Sequence, residues 1–430
     1  MTKHADCIVV GAGPAGSAAA LHLARAGVDV LLLDRAVSFP RRKICGDGLT
    51  PASTRELEEL GLLGAASLRS NWVEGGVLYS PSGAHVDMPG TRACVVRREL
   101  LDQALLEKAA AAKARVQLGT SVSRLTFESG GAVVSAGTDA LRCDLVVLAT
   151  GSRSSLPILH GLQRPPPADA VARRAYFSQV SWRADRLLFC YARELLPAYG
   201  WLFPLGDGVA NIGVGSFLGE SRASNLAPAF QQFQSWLKRE GILAEASKPS
   251  EEGTDLLRTG MRGNGLVADR LIAVGDAAAA IDPLSGEGVS QAIRSGRLAA
   301  QAAARALSRG RMSAADLSGY RGAMRREFGR RAREARWARW LLRSSRLIES
   351  LVSAARVRPG LAHAIYEMLV GEKSPLPTLG HAATALVTTG AWRGLLRDAG
   401  GGGGMPPAPG TNATEAGWPQ TPGPGGEARR

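Results

Sequence analysis

The chain opens with a pattern of apolar and polar positions that predicts a strand, a helix and a second strand. The apolar run from Ala5 to Val10 has the length and the branched side chains of a buried parallel strand, and the run from Val28 to Leu33 repeats that character. The alanine-rich segment between them predicts a helix that ends at Gly27. This order is typical of a βαβ unit, whose strands lie side by side in a parallel sheet.

The rest of the pattern predicts an interrupted domain followed by helices. A turn at Ser80–Gly83 predicts a hairpin over about 72–95, and the proline run before Ala168 marks an exit into a strand-rich region. The apolar strand Leu271–Val274 and the helix that starts at Gly288 return to the first domain. The segment beyond Gly400 is rich in Gly and Pro and is expected to be disordered. The predicted regions are 1–163, 164–263, 264–310, 311–399 and 400–430.

Three glycines follow the first strand at the spacing of a dinucleotide-binding loop. Gly11 permits a tight turn, Gly13 lets the backbone approach a pyrophosphate, and Gly16 allows close packing of helix and strand. Asp34 ends the second strand, where an acid accepts ribose hydroxyls. Because strand, helix and acid agree, a nucleotide site is favoured over an ordinary glycine-rich turn. The contacts expected here are Gly11, Gly13, Ala15, Gly16, Asp34 and Arg35.

Composition and charge narrow the class of protein. Of the 430 residues, 45% are hydrophobic and 21% are charged, which is a globular balance. The formal net charge is +14, so an acidic partner or surface is plausible, although no nucleic-acid recognition motif is present. Five cysteines without a CxxC pair and six scattered histidines predict neither a disulfide framework nor a metal site, and they favour the cytoplasm. No signal peptide or membrane-spanning run is expected.

A late Gly-Asp pair gives the first resemblance to a known fold. Asp276 follows Gly275 after an apolar strand, and a loop then leads into the helix start at Gly288 and Val289. A nucleotide domain that is interrupted by a sheet region and closed by Gly-Asp resembles flavoproteins built like p-hydroxybenzoate hydroxylase. The resemblance implies that FAD is the cofactor and that Asp276 bonds its ribityl chain. Backbone N–H groups at the helix start would stabilise negative charge on the flavin.

Two weaker assignments come from the same resemblance. Arg98, followed by Leu101 and Asp102, matches the R-x-x-[FL]-D helix start of these flavoproteins, where the arginine contacts the cofactor. Val122, in a short strand, would lie against the adenine. Taken alone, an arginine near a helix start is usually a solvated charge.

Two further motifs resemble the geranylgeranyl reductase family, and especially its bacterial branch of menaquinone polyprenyl-chain reductases. The first is Pro40-x4-Cys45-Gly46-Asp47-Gly48. The second is Y-x-W-x-F-P followed by G-x-G, formed here by Tyr199, Trp201, Phe203, Gly213 and Gly215. The three aromatic residues alternate along a strand and share one face. They could wall a channel for an apolar alkene or simply belong to the sheet core.

The resemblance implies a fold and a reaction. The fold is α/β, with an FAD-binding Rossmann domain, an interleaved and mostly antiparallel β-sheet substrate domain, and a C-terminal helical region. The reaction is reduction of carbon–carbon double bonds of a polyprenyl substrate, geranylgeranyl or a menaquinone tail, by hydride from reduced flavin. Cys45, Gly46 and Gly48 would contact FAD, and Cys45 would either donate a proton or only pack against the ring.

Other functions share this fold. A flavin monooxygenase or halogenase is the main alternative, although halogenases carry a Trp-x-Trp-x-Ile-Pro segment that is absent here. A prenyl-binding escort protein is the non-enzymatic alternative, and the complete nucleotide loop argues against it. Relatives usually have Asp-Gly where this chain has Thr150-Gly151, a site linked to NADPH, so NAD(P)H and another reductant both stay open as electron donors.

An arginine-rich helical stretch bears on whether the protein contacts a membrane. Residues 321–346 contain ten arginines and two acids, with tryptophans at 337 and 340. Such a helix could lie on an anionic membrane surface or be an ordinary solvated helix. The lipid substrate favours peripheral contact with the inner face of the membrane.

Overall fold

The computed structural model describes residues 4–64, 68–162, 168–217, 225–261 and 265–389. The predicted proline-rich exit at 163–167 and the predicted disordered tail after Gly400 lie outside these ranges. Both predicted limits of the strand-rich region, 163/164 and 263/264, also fall among residues that are not described.

Strands in the described residues form two large sheets. In chain order they are β1 (His4–Val10), β2 (Val30–Leu33), β3 (Gly48–Leu49), β4 (Ser70–Tyr79), β5 (His85–Val96), β6 (Arg115–Gln117), β7 (Val122–Glu128), β8 (Gly131–Ala136), β9 (Asp139–Leu148), β10 (Ala170–Phe177), β11 (Leu187–Cys190), β12 (Tyr199–Gly206), β13 (Val209–Phe217), β14 (Ser250–Leu257), β15 (Val267–Ala268) and β16 (Leu271–Ala273).

The first sheet has the parallel centre that the opening pattern predicts. Its order is β15-β16-β9-β1-β2-β6, and β7 and β8 extend it as an antiparallel addition to β9. Strand β1 pairs in parallel with both β2 and β9, so Cys7 lies opposite Val30 and Leu145. Strand β16 pairs in parallel with β9, which returns the late part of the chain to the same sheet. The carboxyl ends of these strands therefore meet along one edge.

The second sheet is antiparallel except at one pair. Its order is β14-β10-β13-β12-β11-β4-β5-β3, and only β11 and β4 run parallel. Strands β4 and β5 precede α3 in the chain yet pair within this sheet, with Tyr79 opposite His85 across the hairpin. Strand β3, which follows the Cys45 loop directly, pairs with the end of β5. The second sheet therefore reaches the loop that leaves the first sheet.

Helices cover the first sheet and the outer face of the hairpin. They are α1 (Pro14–Arg25), α2 (Pro51–Glu59), α3 (Arg98–Ala111), α4 (Leu156–Leu159), α5 (Ala227–Arg239), α6 (Val289–Ser308), α7 (Ser318–Leu341), α8 (Ser345–Val357), α9 (Pro359–Leu369) and α10 (Pro375–Thr389). Thr50 caps the start of α2, since its hydroxyl accepts a hydrogen bond from the backbone N–H of Ser53. Among the described residues, no helix combines the length and the hydropathy needed to cross a bilayer.

The C-terminal helices close a third hydrophobic cluster. Helices α8 and α9 pack against β5, where Met88 and Val95 of the hairpin meet Leu351 and Tyr366 of the helices. All four side chains are buried because the helices cover this face of the hairpin. The fold class predicted from the sequence is confirmed: a parallel Rossmann-type sheet, a mostly antiparallel second sheet and a helical C-terminal region.

Candidate active site

One large cavity brings nearly all of the predicted site residues together. It has a volume of about 1010 Å³ and lies between the carboxyl edge of the first sheet and the inner face of the second. Of the residues predicted from the sequence, all but Gly16 and Gly213 line it: Gly11, Gly13, Ala15, Asp34, Arg35, Cys45, Gly46, Gly48, Arg98, Val122, Asp276, Gly288, Val289, Tyr199, Trp201, Phe203 and Gly215. Its size is at the upper end of cavities that hold extended small molecules, about 300–1,000 Å³.

The glycine loop leaves room for a ligand because side chains cannot fit there. Gly11 has a φ of +106°, and a Cβ at this position would lie 2.3 Å from the carbonyl oxygen of Ala149. A Cβ at Gly16 would lie 1.7 Å from the carbonyl oxygen of Gly11, so Gly16 sets the distance between loop and helix rather than lining the cavity. The start of α1 borders the cavity at Gly13, Pro14 and Ala15, and the first backbone N–H groups of a helix have no intrahelical acceptor and can bind a phosphate.

Asp34 holds the glycine loop as well as facing the cavity. One carboxylate oxygen accepts the backbone N–H of Ala12 at 2.7 Å, and the other accepts that of Ala36 at 2.8 Å. The side chain is buried, and it also lines the cavity. Each carboxylate oxygen can accept a further hydrogen bond, so the residue can order the loop and bind a ribose hydroxyl at once.

The late Gly-Asp pair lies beside the glycine loop, since a Cβ on Gly275 would lie 2.8 Å from Ala15 Cβ. Asp276 is in the 3₁₀ turn Gly275–Ala278, and burial raises its pKa, whereas Lys43 and Arg98 act in the opposite direction. The neighbouring Glu287 accepts hydrogen bonds from the Ser53 hydroxyl and from the backbone N–H of Ser290. These contacts fix the loop in front of α6, whose first turn at Gly288 and Val289 borders the cavity.

The Cys45 loop is held from several sides. Asp47 has a φ of +64°, and its buried carboxylate accepts the Tyr176 hydroxyl at 2.6 Å and the Asn211 amide at 2.8 Å. The same Asn211 amide donates to the carbonyl oxygen of Cys45 at 2.8 Å. Burial raises the pKa of Asp47 overall, although these hydrogen bonds act to lower it. The loop is thus fastened to β10 and β13 of the second sheet.

Arg98 lies between the Cys45 thiol and the buried carboxylate of Asp102. Its guanidinium donates two hydrogen bonds to one oxygen of Asp102, at 3.0 and 2.9 Å, and its Nη1 lies 3.6 Å from Cys45 Sγ. Burial lowers the pKa of Arg98, but Asp102 and Cys45 together raise that pKa overall. The other oxygen of Asp102 lies 3.1 Å from Arg41 Nη2. Asp102 therefore positions two cations at the cavity.

The aromatic residues of β12 form one continuous wall. The ring centroids of Tyr199 and Trp201 are 6.1 Å apart, and those of Trp201 and Phe203 are 6.2 Å apart. A Cβ on Gly46 would lie 3.4 Å from Trp201 Nε1, and one on Gly48 would lie 3.0 Å from Phe203 Cε2. The cysteine loop therefore rests directly on the wall. Burial raises the pKa of Tyr199 to about 12, so this phenol stays protonated.

The two glycines of the G-x-G segment make room for the aromatic rings of the neighbouring strand. In the structure they pair across the strand with Trp201 and Tyr199, and a Cβ on Gly213 would lie 2.2 Å from Trp201 Cζ2. The flat groups that these glycines admit are therefore the chain's own aromatic rings. Gly213 lies under the indole, and Gly215 still borders the cavity.

The wall continues into an apolar region that sequence reasoning missed. Beyond Phe203 the cavity is lined by side chains from β3, β5, β11 and the end of α9: Leu49, Ala93, Leu187, Phe189, Leu369 and Val370. These residues form no motif of their own, because four separate parts of the chain contribute them. This region has the apolar character that an alkene chain requires.

The polar part of the cavity fits a dinucleotide. Among the described residues, four buried polar atoms that belong to cavity-lining residues have no hydrogen-bond partner: Thr150 Oγ1, Ser152 Oγ, Arg41 Nε and Arg174 Nε. Arg41 Nη2 is also the nearest atom to a Cβ placed on Gly13, so this cation stands beside the predicted pyrophosphate loop. Buried polar atoms are rarely left unpaired in folded proteins. A phosphate-bearing ligand would satisfy them, and FAD fits the donor set.

Comparison with known proteins decides the family. The family model described as "FAD binding domain" matches residues 4–335. A menaquinone reductase from Mycolicibacterium smegmatis is 38% identical over 320 residues, covering 70% of this chain and 76% of that protein. A digeranylgeranylglycerophospholipid reductase from Methanopyrus kandleri is 31% identical over 333 residues, covering 75% of this chain and 86% of that protein. The chain belongs to the geranylgeranyl reductase family.

A solved structure supports the fold of this geranylgeranyl reductase family member. A geranylgeranyl bacteriochlorophyll reductase-like protein from Thermoplasma acidophilum superposes with a TM-score of 0.72 at 23% identity, covering 91% of this chain and 98% of that one. The predicted cofactor, FAD, and the predicted enzyme class, a flavin-dependent oxidoreductase, are both confirmed by the family. The family model ends at residue 335, so α8, α9 and the cavity-lining residues Leu369 and Val370 lie beyond it.

Proposed function

We propose that this oxidoreductase reduces carbon–carbon double bonds of a polyprenyl chain, either geranylgeranyl or the tail of a menaquinone. The observation that carries the proposal is the continuity of one cavity. The glycine loop and Asp276 border one part, and the aromatic wall with Leu369 and Val370 borders the other. Relatives that are named for reducing menaquinone and digeranylgeranylglycerophospholipid support this substrate class.

The cavity-lining residues form two sets, one that would bind FAD and one that would bind the lipid. Bound FAD supplies hydride chemistry when it is reduced. The start of α1, Asp34, Arg35 and Arg98 would hold its nucleotide part together with Val122, and Asp276 with the start of α6 would hold the flavin end. Tyr199, Trp201 and Phe203 would orient the polyprenyl chain by contact area alone, since an isolated alkene offers no polar handle. The closed, apolar wall also excludes water from the reacting bond.

Cys45 is the candidate proton donor. Its sulfur accepts hydrogen bonds from the backbone N–H of Asp47 and from Arg98, and the residue lines the cavity between its polar and apolar parts. Reduction of an alkene adds a hydride to one carbon and a proton to the other, so a proton source at this junction is required. The thiol would deliver that proton, and the buried Tyr199 phenol is the nearest alternative on the wall.

The same proposal includes the location of the enzyme in the cell. A polyprenyl substrate partitions into the bilayer, and we place the enzyme in the cytoplasm with peripheral contact to the inner membrane face through residues 321–346. The electron donor is either NAD(P)H or another cellular reductant. Thr150, where relatives usually have Asp, borders the cavity with a buried hydroxyl that has no partner among the described residues, so donor choice can be tested there.

An anaerobic reoxidation assay tests the reaction. The flavin of the holoenzyme is reduced with dithionite, and candidate lipids in detergent are added while flavin absorbance is followed. The proposal expects reoxidation by a polyprenyl lipid and a product that is heavier in steps of two hydrogens. If turnover instead requires oxygen and adds an oxygen or halogen atom, the enzyme is a monooxygenase or halogenase. A colourless protein that binds prenyl lipids without FAD would indicate an escort protein.

A further inference from the structure

Helix α7 carries a stripe of exposed residues along one side. Arg326, Arg330, Arg333, Trp337 and Trp340 are spaced alternately by four and three residues, which places them on one helix face, and all five side chains are exposed. Buried residues such as Met324, Phe328 and Ala335 occupy the opposite side and hold the helix in place. The stripe is therefore fixed relative to the rest of the protein.

The stripe is strongly positive because its acidic neighbours are already neutralised. Glu327 pairs with Arg294, and Glu334 pairs with Arg330. Within the described part of the chain, neither Arg326 nor Arg333 forms an ion pair. A solvated helix normally mixes both signs of charge along its exposed face, whereas this face presents uncompensated cations.

The carboxyl end of the stripe is aromatic. Trp337 is 62% exposed and Trp340 is 50% exposed, and their rings form an edge-to-face pair with centroids 5.9 Å apart. Leu376 at the start of α10 is 52% exposed, and its backbone N–H donates to Glu334, one turn before Trp337. Large apolar side chains that are grouped on a surface usually mark an interaction site.

This end of α7 also touches the rim of the cavity. The Arg339 guanidinium lies over the Phe217 ring, 4.0 Å from its centroid, and Phe217 lines the cavity. Arg336 donates to the carbonyl oxygen of Gly260 at 2.9 Å, beside β14. Because helix residues follow one another at about 100°, Trp340 lies only about 40° around the helix from Arg336. Arg339 lies about 100° from Trp340 and about 160° from Trp337, so the cavity rim and the exposed tryptophans lie near the same end of α7 but on different sides of the helix.

We infer that this face of α7 is a docking surface for an anionic bilayer, with Arg326 and Arg333 meeting lipid phosphates and Trp337 and Trp340 entering the headgroup region. Interfaces between water and lipid favour tryptophan, and anionic leaflets attract clustered arginine. Docking on this face would hold the cavity, whose rim at Phe217 lies against the other side of α7, about one helix diameter (~10 Å) from the bilayer. The inference deepens the membrane contact proposed above, and its value for substrate entry rests on the proposed reaction.

Vesicle sedimentation of the FAD-loaded protein tests the surface. Vesicles of pure phosphatidylcholine are compared with equimolar phosphatidylcholine and phosphatidylglycerol. Each arginine at an anionic surface strengthens binding about fivefold, so R326Q/R333Q should weaken binding to the mixed vesicles about 25-fold. W337A/W340A should weaken binding to both vesicle types. The double variant R305Q/R309Q removes the same charge from exposed positions at the end of α6 and should bind as the parent does.

The result that would overturn the inference is equal binding by the parent and both stripe variants, or an equal loss in R305Q/R309Q. Unchanged flavin absorbance and circular dichroism show that the variants are folded, and salt titration of the parent gives a measurement that needs no variant. Activity separates this inference from the proposed function. If both are right, the stripe variants reduce polyprenyl lipid in detergent normally but not in vesicles. If only the docking surface is right, the parent binds vesicles while no polyprenyl lipid reoxidises its flavin.

Discussion

Adding a single methyl group at Gly213 should disturb the aromatic wall from beneath. The new Cβ would lie 2.2 Å from Trp201 Cζ2, whereas carbon atoms in contact are about 3.5 Å apart, so the indole must move by about 1.3 Å. Trp201 Nε1 donates to Asn211 Oδ1 at 3.1 Å, and a displacement of this size breaks that hydrogen bond. The displaced ring can move only towards the cavity, because β13 lies below it.

The size of the effect follows from two contributions. Forcing an extra methyl group into a packed region costs about 1–3 kcal/mol, and losing one buried hydrogen bond costs about 1 kcal/mol more. Gly213→Ala should therefore lower the free energy of unfolding by about 2–4 kcal/mol, measured by equilibrium urea denaturation followed by circular dichroism. Since Asn211 also holds the Cys45 loop, the variant should raise the KM for the polyprenyl lipid while retaining FAD.

Two other glycines serve as matched controls. A Cβ on Gly215 would lie 3.1 Å from the Tyr199 ring, so a shift of a few tenths of an ångström is enough and Gly215→Ala should cost less than about 1 kcal/mol. Gly329 lies inside α7, where a Cβ meets only ordinary contacts, and Gly329→Ala should stabilise the protein by up to about 1 kcal/mol. The reasoning is refuted if Gly213→Ala is as stable as the parent, or if Gly215→Ala costs more.

Three further changes have defined outcomes. Burial, with a smaller contribution from Arg297, lowers the pKa of His22 from 6.5 to about 4. The unfolded chain therefore binds the proton more readily, and the free energy of unfolding falls as the pH drops through that interval. His22→Gln should reduce this fall, measured by urea unfolding at several pH values. Asp102→Ala leaves Arg41 and Arg98 without their buried partner and should lower the free energy of unfolding by about 3 kcal/mol in the same assay. Cys45→Ser should slow lipid reduction while FAD absorbance is retained, and unchanged turnover would remove the thiol from the proton-transfer step.

The first domain could be predicted from the sequence because local rules determine it. Parallel strands buried on both faces give continuous apolar runs, and Gly11 and Gly16 tolerate no side chain, so both features are visible in the printed residues. The helix start at Thr50 likewise depends on one hydroxyl and the proline that follows it. Each of these elements needs only neighbours within a few residues or one adjacent strand.

The apolar end of the cavity could not be predicted, because it depends on packing between distant segments. Leu187, Phe189 and Leu369 come from β11 and α9, and nothing near them in the chain distinguishes them from core residues. Arg41 was missed for a related reason. Its role is apparent only when Asp102, on helix α3, holds the Arg41 guanidinium beside Gly13.

The spacing of the family motif has a physical explanation in the β12–β13 hairpin. In an antiparallel hairpin, a residue further along the first strand pairs with a residue correspondingly earlier in the second strand. Tyr199 therefore lies opposite Gly215, and Trp201 lies opposite Gly213. The same register places Asn211 opposite Phe203, where its amide reaches both the indole N–H and the Cys45 carbonyl. A ring that lies flat on the sheet requires glycine beneath it, and a loop that rests on the ring requires a polar anchor beside it. Both motifs of the family therefore describe one structural unit, which sets the position of Cys45 relative to the aromatic wall.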